Sequence, residues 1–180
     1  MARTITTEEF EQFYRTTAPE LFGYMRRRTD ADPENLVAEV YAVAWRRRAD
    51  LPGPVLRRAW LFGTARRLLL AESRRRGREE EHAGYPVPLD VAAQGPDHRL
   101  EEAVATALLR LSPEDRELIL LVEWERMTPA EVAVVLGIKP GAARMRLHRA
   151  RQALAADPTM RELVREHPPP VRMAVIAPHD

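Results

Sequence analysis

Between Lys139 and Leu154 the chain reads KPGAARMRLHRARQAL, and almost every side chain there that could do chemistry is a cationic donor. Ala143, Leu147, Ala150 and Leu154 recur at the helical spacing that marks a buried stripe. Gly141, Arg144, Met145 and His148 lie about half a turn away and must face outward, with Arg146, Arg149 and Arg151 flanking them. A helix that enters the major groove of DNA needs small residues near its N-terminus for close approach. It also needs long donors for phosphates and guanine edges. Ala142, Arg144, Arg146 and Arg149 meet both needs. The same letters also describe an arginine-rich amphipathic helix solvated on one side, so its surroundings must decide. His148 has no carboxylate near it in sequence and suits a surface or phosphate-contact role better than a metal or catalytic one.

The elements that would position this face are legible. Thr128 and Glu131 form a capping box around Pro129, opening a short helix that ends at Gly137, a natural left-handed cap. Pro140 opens the arginine-bearing helix, which runs to about Ala155. A short helix, a glycine turn and a second helix make a helix-turn-helix, with Val132, Ala133 and Leu136 facing the buried stripe. Upstream, Leu100, Val104, Ala107, Leu108 and Leu111 keep a helical spacing. Ser112-Pro113-Glu114-Asp115 then supplies an N-cap, a first-turn proline and an acidic first turn for a buried helix, Leu118 to Trp124.

The first half has its own periodicity. Thr6 and Glu9 cap a helix carrying Phe10, Phe13 and Tyr14, and Pro19 restarts or kinks it before Leu21, Phe22 and Met25. Asp32-Pro33 starts a second helix with Leu36, Val37, Val40, Tyr41, Ala44 and Trp45 on its apolar face. After the Leu51–Pro54 breaker, a third helix runs from about Val55 to Arg76, with Trp60, Leu61, Ala65, Leu68 and Leu69 on one side. From Gly77 to Pro96 the pattern dissolves into a polar, proline-bearing stretch. The expected fold is all-α: two small helical bundle domains joined by a flexible linker, the second containing the helix-turn-helix. The expected divisions are 1–78, a linker over 79–96, 97–156, and a largely disordered tail over 157–180.

Composition narrows the function classes. The 180 residues carry 28 Lys+Arg against 27 Asp+Glu, a net charge of +1, so clusters rather than total charge must carry any nucleic-acid argument. The absence of cysteine excludes a disulfide framework and thiolate zinc ligation, and it fits a reducing cytoplasm. The opening residues MARTITTEEFEQF carry no apolar stretch of the length a signal peptide would need, and no uncharged run approaches the ~20 residues of a membrane span. Glu79, Glu80 and Glu81 are the densest acids, yet beyond adjacent His82 they lack the histidine–carboxylate arrangement that an enzyme needs. The expectation is a cytoplasmic protein, not an enzyme, needing no cofactor or metal.

Three longer strings are more specific than these patterns. SPEDRELILLVEWERMTPAEVAVVLGIKPGAARMRLHRARQAL closely resembles the promoter-binding region four of sigma-70-type factors, above all their extracytoplasmic-function (ECF) group. ENLVAEVYAVAW resembles that family's core-polymerase-binding segment, and RAWLFGTARRLLLAESRRR resembles the region that opens and reads the element near −10. The matches stand in the family's order and span about residues 8–156. The resemblance implies a transcription initiation factor whose partners are core RNA polymerase, promoter DNA and, commonly in this group, an anti-sigma protein. It places Lys139, Ala142, Arg144, Met145, Arg146, His148 and Arg149 at the −35 element. Arg57, Arg58, Trp60, Arg66, Arg67, Arg74 and Arg75 fall at the −10 element, and Leu36, Glu39 and Val40 at the polymerase. Leu36, Val37 and Val40 suit a buried core equally well, and Trp60 fits a core position better than a base-stacking one. Asn35, Ala38, Arg67, Ala142 and Met145 depart from residues usual in the family. The competing reading is a stand-alone helix-turn-helix regulator whose first block dimerises or binds a ligand.

Overall fold

The computed structural model describes residues 4–75 and 98–166, and the expected linker and the last fourteen residues lie outside them. Eight helices make up the described chain: α1 (Thr7–Arg26), α2 (Pro33–Arg46), α3 (Pro54–Arg75), α4 (His98–Leu109), α5 (Pro113–Glu123), α6 (Pro129–Leu136), α7 (Pro140–Ala156) and α8 (Pro158–Glu166). The all-helical expectation holds, and most boundaries follow from local chemistry.

Thr6 and Glu9 complete the capping box that opens α1, and Thr128 and Glu131 complete the one that opens α6. Asp32 and Ser112 cap α2 and α5, each followed by a first-turn proline. Each such cap contributes about 1 kcal/mol. Gly137 closes α6 in the left-handed region at φ 68°. Pro19, expected to restart or kink α1, sits inside one uninterrupted helix. Proline removes the bond to the carbonyl of Arg15, but both residues are exposed, so water can satisfy that oxygen.

α1, α2 and α3 pack on one another around Leu21, Tyr24, Met25, Val40, Leu61 and Phe62. α5, α6 and α7 share a second centre of Leu118, Leu121, Val132, Leu147 and Ala150. The two groups meet where α3 packs directly on α6, and their apolar residues form one continuous core. This explains why α3 is buried nearly all round from Ala59 through Ala65. A helix with one covered face would bury only a stripe. The two backbones come close at Gly63, where a β-carbon would lie 3.4 Å from the Cα and carbonyl oxygen of Val135.

The second group also extends further than expected. Residues 158–166, assigned to the irregular tail, form α8, which packs on α4 and α7. Asp157 caps it by accepting from the backbone amides of Thr159 and Met160 at 2.9 and 3.2 Å. Arg110 at the end of α4 donates to the same carboxylate at 2.8 Å and holds it below the usual carboxylate range. The rest of the expected tail, residues 167–180, lies outside the described residues.

Candidate nucleic-acid interface

The helix-turn-helix comprises α6 and α7, held against α5. Ala143, Leu147 and Ala150 are buried at 0%, 7% and 2% exposure, so the stripe expected from spacing is the one that packs. Gly141, Ala142, Arg144, Met145, His148 and Arg149 are all exposed, as is Lys139 at the N-cap. Met145 is an apolar member of this face at 55% exposure.

The arginines of α7 divide by electrostatic commitment. Arg146 is half-buried and donates to Asp115 at 3.1 Å, and Arg151 donates to Glu123 at 2.7 Å. Lys139, Arg144 and Arg149 have no ion pair or hydrogen-bonded side-chain partner among the described residues. Three cations thus stand open on a surface with small residues at the helix start. Such a face can neutralise phosphates without first surrendering an internal partner.

The bundle beneath α7 is fixed by a buried cation. Arg116 reaches back over the α4–α5 turn and donates to the carbonyls of Leu108, Leu109 and Leu111 at 2.9, 3.0 and 3.2 Å. It thereby satisfies the Leu109 and Leu111 oxygens that the end of α4 leaves open, and adds a second donor to the Leu108 oxygen, which already accepts from the Leu111 amide. Burial lowers its pKa, yet arginine stays charged.

The residues expected at the −10 element do not form one open surface. Arg67, Arg74 and Arg75 are exposed, Arg75 beside Glu72 at 2.7 Å and Arg67 donating to Thr64. Arg57, Arg58, Trp60 and Arg66 are half-buried, and Trp60 packs against the core. Arg58 is already engaged: it donates to Glu20 at 2.7 Å and to the carbonyl oxygen of Glu125 at 2.8 Å, with Phe62 under its guanidinium.

Of the residues expected to meet the polymerase, Leu36 and Val40 are core, at 6% and 0% exposure. They pack under α1 and α3 and present nothing to a partner here. Glu39 is exposed, together with Asn35, Ala38 and Ala42, and these form the outward face of α2. Tyr41 turns inward and shares a 2.7 Å hydrogen bond with Thr17. Burial pushes its hydroxyl up to about 12, against a smaller lowering by that bond.

Sequence reasoning missed the charged cluster between the two groups of helices. Glu117 and Glu125, 3% and 6% exposed, enter the ends of α1 and α3. Arg27 and Arg28 donate to Glu125 at 2.7 and 3.3 Å, Tyr24 donates to Glu117 at 3.2 Å, and Arg28 lies 3.7 Å from the other Glu117 oxygen. Nothing in the sequence marks these acids apart from surface ones, because their partners lie more than 90 residues away.

A helical chain that presents an open cationic face on the second helix of a helix-turn-helix is of the DNA-reading class. The comparisons narrow this. The family "Sigma-70, region 4" matches residues 101–154. The ECF RNA polymerase sigma factor SigL of Mycobacterium tuberculosis is 32% identical over 159 residues, covering 83% of this chain and 88% of that one. The RNA polymerase sigma factor CarQ of Myxococcus xanthus is 28% identical over 152 residues, covering 82% and 87%. Among solved structures, the sigma factor RpoE of Bartonella quintana, in complex with the anti-sigma factor NepR, shares the fold with a TM-score of 0.58 at 24% identity, covering 82% of this chain and 95% of that one. The chain therefore belongs to the ECF group of sigma-70-type RNA polymerase sigma factors. Among its described residues no helix is long and apolar enough to cross a membrane.

Proposed function

We propose that this chain reads the −35 element of its promoters with the outer face of α7, while its first half binds core RNA polymerase and engages the −10 element. The observation that carries the reading is the open cationic face of Lys139, Arg144 and Arg149 beside exposed Gly141 and Ala142. Arginine and lysine there serve phosphates and guanine edges. Met145 and His148 give this face contacts of its own, and both belong to the reading surface with Arg146. Arg146 must first release Asp115, so it is the weakest of the expected cations.

Residues 7–75 form the polymerase-binding and −10 part, and residues 98–166 the −35 part. Glu39, with Asn35, Ala38 and Ala42 around it, is the polymerase contact on α2. Arg67, Arg74 and Arg75 track the phosphates of the separated strand. The chain carries out no chemistry of its own and works in the cytoplasm, where the polymerase supplies bond formation. An anti-sigma protein is a further partner, by analogy with the RpoE–NepR complex.

The test is footprinting of the reconstituted holoenzyme on promoters mapped by overexpression. Protection of both elements, with Arg144→Ala and Arg149→Ala losing the upstream half, supports the assignment. Protection unchanged by those substitutions refutes it.

A further inference from the structure

Met145 is the one long side chain on the crown of α7 that carries no polar donor. With about 3.6 residues per turn, it stands roughly 190° around the helix from the mean direction of Ala143, Leu147, Ala150 and Leu154, directly opposite the packed stripe. Exposed Arg149 lies roughly 40° to one side of it and exposed Arg144 roughly 100° to the other. A methionine is long, unbranched and flexible, and its thioether has no hydrogen to donate. It can pair with neither a phosphate nor the acceptors of a guanine edge, so it contributes to a DNA complex by burying apolar surface. In the major groove the apolar group that a base edge offers is the 5-methyl of thymine.

The residues beneath Met145 leave space for such a contact. A helical side chain leans back over the preceding turn, which here carries Gly141 and Ala142, both exposed. A β-carbon at Gly141 would meet nothing within 4 Å, and its backbone is not in the left-handed region. Neither packing inside the protein nor backbone geometry therefore requires a glycine at this position. The two small residues leave room beside the thioether for the edge of a base pair.

We infer that Met145 is a specificity-determining residue that reads the 5-methyl group of a thymine in the upstream promoter element. This rests on α7 reading the −35 element, and it names the base chemistry that the open cations leave unspecified. Lys139, Arg144 and Arg149 serve phosphates and guanine edges, while Met145 selects thymine against cytosine at a single pair. Removing the methyl forfeits the burial of one methyl-sized apolar group, which amounts to about fourfold in affinity. The contact is uncharged and displaces no counterion, so it does not contribute to the salt dependence of binding.

The test uses holoenzyme reconstituted from core polymerase and the full-length chain, on a fluorescein-labelled duplex carrying a promoter that it protects. Each thymine of the upstream element, on either strand, is replaced in turn by uracil, which removes the methyl and keeps the Watson–Crick pair. One replacement should weaken wild-type binding about fourfold and leave binding by Met145→Ala unchanged. On the unmodified duplex, Met145→Ala should bind severalfold more weakly than wild type with the same salt slope, whereas Arg144→Ala lowers the slope. Met145 is 55% exposed, so its alanine variant should keep the wild-type denaturation midpoint. An upstream element with no uracil-sensitive position overturns the inference. So does a uracil effect equal in wild type and Met145→Ala, or a salt slope that Met145→Ala lowers. Arg144→Ala on the same duplex reports on the −35 assignment itself. Weaker binding by that variant without any uracil effect sinks the methyl contact alone, and undiminished binding sinks the −35 assignment.

Discussion

Removing one open cation from α7 should change both the affinity for promoter DNA and its dependence on salt. Lys139, Arg144 and Arg149 are the side chains to test, because none has an ion-pair partner among the described residues. Each phosphate neutralised contributes about 0.9 to the slope of log affinity against log salt. Three such contacts alone weaken binding roughly 40-fold between about 50 and 200 mM salt, and two weaken it only roughly 12-fold. Arg144→Ala or Arg149→Ala should therefore cost about 1–3 kcal/mol at low salt, if the residue also touches a base edge, and should reduce the slope by about 1. Arg151→Ala is the internal control. Its guanidinium is held by Glu123 at 2.7 Å, so breaking that pair offsets what a phosphate would contribute. Fluorescence anisotropy of a labelled promoter duplex with the holoenzyme, at several salt concentrations, measures both quantities. Equal slopes for Arg144→Ala, Arg149→Ala and wild type would refute the reasoning, as would a larger loss for Arg151→Ala.

Other outcomes separate folding from binding. Val40→Ala should destabilise the chain by about 2 kcal/mol, as burial at 0% exposure implies, whereas Glu39→Ala should leave the denaturation midpoint unchanged and weaken polymerase binding in a pull-down titration. Arg116→Met keeps the aliphatic stem but leaves the Leu109 and Leu111 carbonyls without their donor; a loss of roughly 2–4 kcal/mol in urea denaturation is expected, since charged hydrogen bonds are worth about 1.5–3 kcal/mol each and the turn is partly hydrated. Spectrophotometric titration should show one tyrosine ionising near 12, absent in Tyr41→Phe. Because its folded pKa lies above the free value, that stabilisation is complete below about pH 10 and is lost as pH rises from there through about 12. Asp157 works in the opposite sense. Held low by Arg110, it stabilises α8 above the ordinary carboxylate pKa, and the gap in melting temperature between wild type and Asp157→Ala should close only as pH falls below about 3.9.

What could be read from sequence was local. Ser112-Pro113, Thr128 with Glu131, Gly137 and Pro140 each act within a turn of their own position, so the boundaries of α5, α6 and α7 and the buried stripe of α7 followed directly. Asp157-Pro158 repeats the Asp32-Pro33 signal that opens α2, and the proline-rich stretch after it hid a helix start that was there to read. The docking of α3 on α6 was not legible. Gly63 and Val135 are far apart in sequence, and a glycine carries no sign of what will lie against it. Glu117 and Glu125 read as solvated acids until Arg27, Arg28 and Tyr24 are brought beside them. Leu36 and Val40 were ambiguous for a physical reason: a helix face that fills a core and one that meets a partner carry the same residue types.

The most direct test of the account is run-off transcription with purified core RNA polymerase and genomic templates, with and without this chain. Because Arg144→Ala lowers the salt slope, its transcripts should fall further below those of wild type at low salt than at high salt. The account predicts chain-dependent start sites that Arg144→Ala weakens, and the complete absence of chain-dependent transcripts from every template would contradict it.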